Sequence, residues 1–319
     1  MIIALAAIAS AIFMGINIGG NNAAASMGAA YGARARTKKQ AVMLIAVFSL
    51  LGAVLSGEEV IKTLGGGLIP GSIITLTAAT ITVSAAGFCL LVGNMLKVPI
   101  SSSQSMVGAV VGIGLFYGLL DTQLLLQIVG WWAVTPVLAF VLAYLSGKYL
   151  HPGIASWLEG HKSELQIKGV IAKLLTVSGC YVAFSAGANN AGNAVGPIVG
   201  AGLLDSATGA VLGGLTLGLG ALLIGGRILQ TVGTEITELC MVRAVFVEII
   251  AAVIVHIASV GGIPVALGQI VPAAIIGIGC ANEGFMMVKS KTVKRIAIMW
   301  VISPIAAGLI AYSAIGLVY

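Results

Sequence analysis

Gly20-Asn21-Asn22-Ala23 recurs 168 residues later as Ala188-Asn189-Asn190-Ala191. At the same offset Gly28 meets Gly196, Gly52 meets Gly220 and Gly57 meets Gly225. Ile61-Lys62-Thr63-Leu64-Gly65 is likewise echoed by Leu229-Gln230-Thr231-Val232-Gly233. Further on the offset becomes 165. There Val98-Pro99-Ile100-Ser101-Ser102-Ser103-Gln104 matches Ile263-Pro264-Val265-Ala266-Leu267-Gly268-Gln269, and Gly112-Ile113-Gly114 matches Gly277-Ile278-Gly279. The chain is two copies of one unit.

The copies lie in a strongly apolar sequence. Of 319 residues, 59% are hydrophobic and 8% charged, with a mean hydropathy of +1.11. A soluble domain is about 25% charged, so this composition cannot cover a globule with a solvated surface. A cytosolic enzyme, a disordered regulator and a secreted disulfide scaffold are excluded, which leaves an all-α integral membrane protein. The 44 glycines suit helices packed through small residues. Cys89, Cys180, Cys240 and Cys280 stand singly in apolar stretches, with no metal-ligand spacing. The excess of 16 basic over 10 acidic residues sits in short loops between apolar runs, which signals orientation rather than nucleic-acid binding. No signal-peptide cleavage pattern stands out, so residues 1–10 are read as structure.

A bilayer span needs about 17–25 apolar residues. Ten runs qualify: 2–33, 40–57, 72–96, 99–119, 124–147, 169–200, 207–226, 241–260, 264–281 and 295–317. The hydrophilic stretch 148–168 reads as a cytoplasmic linker between a first repeat (1–147) and a second (169–319). With both termini outside, Arg34, Arg36, Lys38 and Lys39, the linker, and Lys289, Lys291, Lys294 and Arg295 all face the cytoplasm, and so do Lys97, Arg227 and Arg243. Only Lys62 is left outside. Five spans then separate equivalent points, an odd number, so the repeats are inverted. Inverted repeats with broken or re-entrant helices in matching places are the pattern of secondary transporters, whose site lies where the copies meet.

Two polar elements per copy could form that site. Asn21 and Asn22, then Asn189 and Asn190 with Asn193 behind them, place carboxamides at membrane depth, where polar groups need partners or a cavity. The preceding glycines allow the backbone to unwind there. One buried Asn reads as interhelical glue; the pair found twice reads as a site. The second element, Pro99 to Gln104, is a helix start whose free N–H groups and positive dipole end suit an anion. Ser101, Ser102 and Ser103 add hydroxyls. Its echo, Ala266, Leu267, Gly268 and Gln269, offers mostly backbone.

These elements resemble the inorganic phosphate transporter (PiT) family, including its sulfate permease members. Ala186-Gly187-Ala188-Asn189-Asn190-Ala191-Gly192-Asn193-Ala194 is similar to the family's paired signature, in which Gly-Ala-Asn-Asp is followed by a small residue, Ala and Asn. Pro99-Ile100-Ser101-Ser102-Ser103-Gln104 is similar to its Pro-Val-Ser-Thr-Thr-His element. The resemblance covers both halves in order. It implies a carrier for a tetrahedral oxyanion, coupled to Na⁺ or H⁺ without other cofactor, often as a homodimer. Asn22 and Asn190 stand where the family has Asp, Gln104 and Gln269 where it has His, and Ala25 replaces its second Asn. Carboxylates are natural Na⁺ ligands, and both are gone. Phosphate near neutral pH carries a proton that a carboxylate can accept; sulfate only accepts hydrogen bonds. A donor-rich site without carboxylates therefore suits sulfate, imported across the plasma membrane by ion-coupled symport with alternating access. Phosphate transport and a passive anion channel are the alternatives.

Glu248 falls inside the 241–260 run, with His256 eight residues on. An intramembrane carboxyl is a candidate for ion coupling; the alternative is a structural pair with Arg243. Trp131 and Trp132 read as interfacial anchors, and His151 and His161 as solvated linker residues. No nucleotide loop, metal-ligand cluster or Ser-His arrangement supports an enzyme.

Overall fold

A computed structural model of the chain describes residues 1–95, 100–232, 241–284 and 291–319. The regular structure among them is helical. In chain order the α-helices are α1 (Ile2–Gly32), α2 (Lys38–Ser56), α3 (Glu58–Lys62), α4 (Leu76–Met95), α5 (Ser102–Tyr117), α6 (Thr122–Leu145) and α7 (His151–His161) in the first part. The second part holds α8 (Glu164–Gly200), α9 (Ser206–Gly220), α10 (Gly226–Val232), α11 (Met241–Val260), α12 (Leu267–Glu283) and α13 (Lys291–Gly316). π-helical turns at Thr63–Gly67, Ser146–Leu150 and Ala221–Gly225 join some of them. Side chains set the starts. Thr37 and Gln40 form a capping box on α2, and Ser163 and Gln166 form one on α8. Asp121 and Asp205 cap α6 and α9.

Element boundaries reproduce the repeat. α1 ends at Gly32 and α8 at Gly200; α2 follows its cap Thr37, and α9 follows Asp205. At the second offset α4 matches α11 at both ends, and α5 and α12 share a start. Packing follows the same exchange. α1 packs on α4 and α9, as α8 packs on α11 and α2; α5 packs on α13, as α12 packs on α6.

Glycine makes the crossings possible. A Cβ on Gly52 would lie 1.8 Å from the Phe184 carbonyl oxygen, and one on Gly220 would lie 2.2 Å from that of Ile16. A Cβ on Gly187 would sit 2.0 Å from the Ser49 oxygen, and one on Gly19 would sit 1.9 Å from that of Leu217. These four contacts are two pairs related by the repeat. They correct the expected role of glycine beside the Asn pairs. α1 and α8 run unbroken through Asn21-Asn22 and Asn189-Asn190, because the backbone groups stay in the helical ladder while the missing Cβ atoms admit a neighbouring backbone.

Eight helical segments of the described residues are long and apolar enough to cross a membrane, so this is a multi-pass membrane protein. Ten were expected. The difference is α5, of 16 residues, and α12, of 17, which are too short for a simple span. Within 148–168, α6 continues through a π turn into α7, and α8 starts at Glu164. Trp131 and Trp132 lie inside α6, and the Trp132 indole N–H donates to the Pro264 carbonyl at 2.8 Å, so Trp132 ties the copies together. Cys89, Cys180 and Cys280 are buried. Lys97, Pro99, Cys240 and Lys289 lie outside the described residues, as do the side chains of Lys291, Lys294 and Arg295.

The crossings predict a graded response to added methyl groups. Gly52→Ala and Gly220→Ala should each destabilise the fold by about 1–3 kcal/mol through overpacking. Gly153→Ala on α7, where a Cβ would meet nothing within 4 Å, should be neutral or gain up to about 1 kcal/mol from helix propensity. Thermal unfolding in detergent checks this; equal shifts at all three positions would contradict the packing account.

Candidate functional site

The start of α5 organises the polar centre. Ser101 is extended and caps the helix, its Oγ accepting from the Gln104 N–H at 3.3 Å. Ser102 and Ser103 occupy the first helical positions, where backbone N–H groups have no acceptor within the helix. Their hydroxyls reach across to the other copy. Ser102 Oγ donates to Asn190 Oδ1 at 3.0 Å, and Ser103 Oγ donates to Asn189 Oδ1 at 3.3 Å. Asn193 Nδ2 donates to Ser103 Oγ at 3.0 Å and to Asn190 Oδ1 at 2.8 Å. Asn190 Nδ2 donates to the Ala186 carbonyl at 2.9 Å, one turn back on α8. Asn189 Nδ2 donates to Ser259 Oγ on α11 at 3.1 Å and to the Ile263 carbonyl at 3.3 Å. All of these side chains are buried. One network therefore locks α5, α8, α11 and the segment before α12.

The exchanged half is built differently. Leu267 and Gly268 stand where α5 has Ser102 and Ser103, so α12 offers no hydroxyl there. Its cap residue, Ala266, makes no side-chain hydrogen bond. The N–H groups of Gln269 and Ile270 both return to the Ala266 carbonyl, and those of Leu267 and Gly268 precede the helical ladder. Gly268 is exposed, and a Cβ there would meet nothing within 4 Å. On α1, which touches α12, Asn21 and Asn22 are half-buried. Among the described residues no side-chain hydrogen bond reaches either. The first-copy carboxamides and the second-copy helix start are therefore open, while their counterparts are closed on each other.

Chemically the open half presents carboxamide donors and helix N–H groups at the positive end of a helix dipole, a set that favours an anion. Buried oxygens without partners are found in both halves: Gln269 Oε1 on α12, and Gln104 Oε1 and Asn193 Oδ1 on α5 and α8. No group of three or more His, Cys, Asp or Glu side chains that could hold a metal occurs among the described residues.

Of the expected site residues, the structure brings together Ser102, Ser103, Asn189, Asn190 and Asn193, with Ser101 and Gln104 on the same helix start. Asn21 and Asn22 do not join that network, nor do Gly268 and Gln269 on α12. Glu248 lies apart from it on α11, hydrogen-bonded to Ser178, and forms no ion pair with Arg243. His256 meets the Tyr181 hydroxyl at 3.0 Å. Reading the sequence missed Ser259, Ser178 and Tyr181. Their only signal was position: each lies on a helix already singled out for another residue.

The sequence profile of the phosphate transporter family matches residues 18–157 and 154–311. A sulfate permease of Bacillus subtilis, CysP, is 40% identical over 314 residues, covering 98% of this chain and 87% of the relative. The chloroplastic inorganic phosphate transporter 2-1 of Arabidopsis thaliana is 25% identical, covering 93% of this chain and 69% of the relative. Among solved structures, a sodium-dependent phosphate transporter superposes with a TM-score of 0.87 at 26% identity, each chain covered over 100%.

The closed network makes an energetic prediction. Asn190→Ala removes the acceptor of two buried donors, Ser102 Oγ and Asn193 Nδ2, at about 1–3 kcal/mol for each group left unpaired. Ser102→Ala in that background should cost less than in the wild type, with a coupling of about 0.5–2 kcal/mol. Thermal melts of the four proteins of this cycle provide the measurement. Additive losses would show that the two side chains do not act together.

Proposed function

The chain belongs to the phosphate transporter family, a transporter of inorganic anions and not an enzyme, and on that premise we propose that it is a sulfate permease driven by ion-coupled symport. The observation that carries the substrate is the chemistry of the open half. Asn21, Asn22 and the first N–H groups of α12 are donors, and no carboxylate stands among them. Sulfate is fully ionised and accepts hydrogen bonds on every oxygen, so such a set leaves no repelling group beside it. The proposed site also takes in Ser101 to Gln104 and the Asn189–Asn190–Asn193 group as its rigid part, since these groups are held by their own bonds. The 40% identical sulfate permease supports the same reading.

Alternating access is supported by the exchange pattern of the packing. α8 runs alongside the α2–α3 segment in the same direction, with Phe184 at Gly52, Gly192 at Val60 and Gly196 at Leu64. α1 and α2 are joined by a short turn that reverses the chain. α8 thus opposes α1, its equivalent in the first copy, as inverted repeats require. A proton fits the coupling role better than Na⁺, because Asn22 and Asn190 lack the hard carboxylate oxygens that Na⁺ prefers. Phosphate is the second reading, and one observation favours it. The partnerless oxygens of Gln104, Gln269 and Asn193 would accept a hydrogen bond from a protonated phosphate and gain nothing from sulfate.

Uptake of radiolabelled sulfate into proteoliposomes, competed by phosphate, thiosulfate, selenate and molybdate, tests the assignment. Asn22→Asp is the sharper substitution, since among the described residues no side-chain hydrogen bond to Asn22 would be lost, whereas Asn190→Asp also breaks the bond to Ala186. It replaces a donor with a charge facing a dianion, and a hydrogen bond to a charged group is worth about 1.5–3 kcal/mol. The sulfate-to-phosphate uptake ratio should therefore fall roughly tenfold or more. A ratio that holds would move substrate choice away from Asn22.

A further inference from the structure

Three hydrogen bonds cross the α8–α11 interface in the same order along both helices. Glu248 meets Ser178, His256 meets Tyr181 at 3.0 Å, and Ser259 meets Asn189 at 3.1 Å. From Ser178 to Asn189 on α8, and from Glu248 to Ser259 on α11, the seam rises about 16 Å at 1.5 Å per residue. It starts at a buried carboxyl and ends on a carboxamide of the anion site.

The first copy supplies an internal control. α4 matches α11 at both ends, so Glu248 stands where α4 has buried Val83, and His256 stands where it has Leu91. On α1, Ser10 and Phe13 stand where α8 has Ser178 and Tyr181; Ser10 only donates back to the Ala7 carbonyl at 2.7 Å. α1 nevertheless packs on α4 as α8 packs on α11. The helix pair needs no carboxyl, imidazole or phenol to form. The titratable groups of the second copy are additional chemistry.

The proton count at Ser178 is informative. Its one hydroxyl proton has the Leu174 carbonyl at 2.8 Å, a group that can only accept. The bond between Ser178 and Glu248 is then complete when the carboxyl carries the proton and donates it. Without that proton the carboxylate must take the hydroxyl proton away from Leu174. Gain or loss of a proton on Glu248 therefore reverses a bond at the foot of the seam.

The surroundings leave this carboxyl without a counter-ion among the described residues. α8 carries Lys173, which is exposed, and the Glu164–Lys168 pair; its Cys180 lies in the field of both Glu248 and Arg36, the latter from the α1–α2 turn. On α11 itself Arg243 acts on His151 at the start of α7, and His256 is engaged by Tyr181. α1 and α6 carry no acidic or basic residue, and the charged residues of α12, α2 and α7 are Glu283, Lys38, Lys39 and Glu159 with His161. Lys62 on α3 is paired with Glu58 and Glu59.

We propose that Glu248 is the proton-coupling site of this carrier, and that the seam through Tyr181–His256 and Ser259–Asn189 transmits its protonation to the anion site. The proposal rests on the anion-permease reading above. A hydronium ion on the entry side gives its proton to the Glu248 carboxylate and leaves water. The acid returns that proton to water on the far side, which regenerates the carboxylate. Ser259 acts through Asn189 and is a positioning residue.

The test uses full-length protein in liposomes loaded with a pH-sensitive dye, and sulfate as the probe. Wild type should acidify the lumen in step with sulfate uptake and accumulate sulfate under an inward proton gradient. Glu248→Gln should lose at least tenfold of that accumulation and the acidification, while sulfate–sulfate exchange at equal pH continues. Glu248→Val, which installs the residue of the first copy, should do the same and keep the fold. Ser259→Ala should lower the proton-to-sulfate ratio at least twofold. Acidification that persists in both Glu248 variants would overturn the proposal, as would loss of exchange together with accumulation in folded protein. Wild-type uptake of phosphate but not sulfate would defeat the substrate reading alone; the acidification assay run with phosphate would then decide the role of Glu248.

Discussion

A polar group at membrane depth has no water to satisfy it, and the centre of this protein is arranged around that constraint. Asn189 and Asn190 are held between helices because other groups meet their oxygens and amide protons. Those groups come from Ser102 and Ser103 of the opposite copy and from Ser259. The hydrogen bonds do more than stabilise. They fix the start of α5, whose first N–H groups point out of the helix, at the level of the carboxamides. The two short helices follow from the same need, because a helix that begins inside the protein brings its unpaired N–H groups to a depth that a full span would keep at the surface.

Such a centre requires backbones to approach closely around it. Gly19 and Gly187 sit just before the Asn pairs and face the carbonyls of Leu217 and Ser49. Any side chain at these positions would push α9 from α1, or α2 from α8, and would open the polar layer to lipid. In a bilayer, where apolar contact with lipid is as good as contact with another helix, this packing of small residues supplies much of the association. The glycines and the carboxamides are therefore one structural unit, and both recur at the offset of 168.

Most of the architecture was legible in the sequence because it is written twice. The repeat offsets, the membrane class and the two polar elements came from residues in matching places, and element boundaries follow the same offsets. Two features were not legible. The unbroken course of α1 and α8 through the Asn pairs depends on what packs against Gly19 and Gly187, and that contact comes from helices distant in the chain. The α8–α11 seam was hidden because Ser178, Tyr181 and Ser259 are ordinary residues in apolar helices; only the partner across the interface gives each its meaning. Glu248 was singled out by its charge, but its pairing with Ser178 rather than nearby Arg243 required the fold.

The differences between the copies carry the chemistry. A repeated scaffold that packs the same way when its halves are exchanged has two related arrangements available at similar cost, which suits a carrier that opens to either side. Perfect repetition would also give it two equal sites and nothing to couple them. Two of the breaks in the repeat bear on the chemistry. Ser102 and Ser103 against Leu267 and Gly268 close one carboxamide pair and give the other no such hydroxyl partners. Glu248 and His256 against Val83 and Leu91 put titratable groups on one helix pair alone. Because α8 takes part in both, holding Asn189 at one level and Ser178 at another, a change at the carboxyl and a change at the proposed anion site act on the same rigid element. Coupling between two sites needs such a shared element with more than one arrangement, and in this molecule α8 and α11 both touch the two.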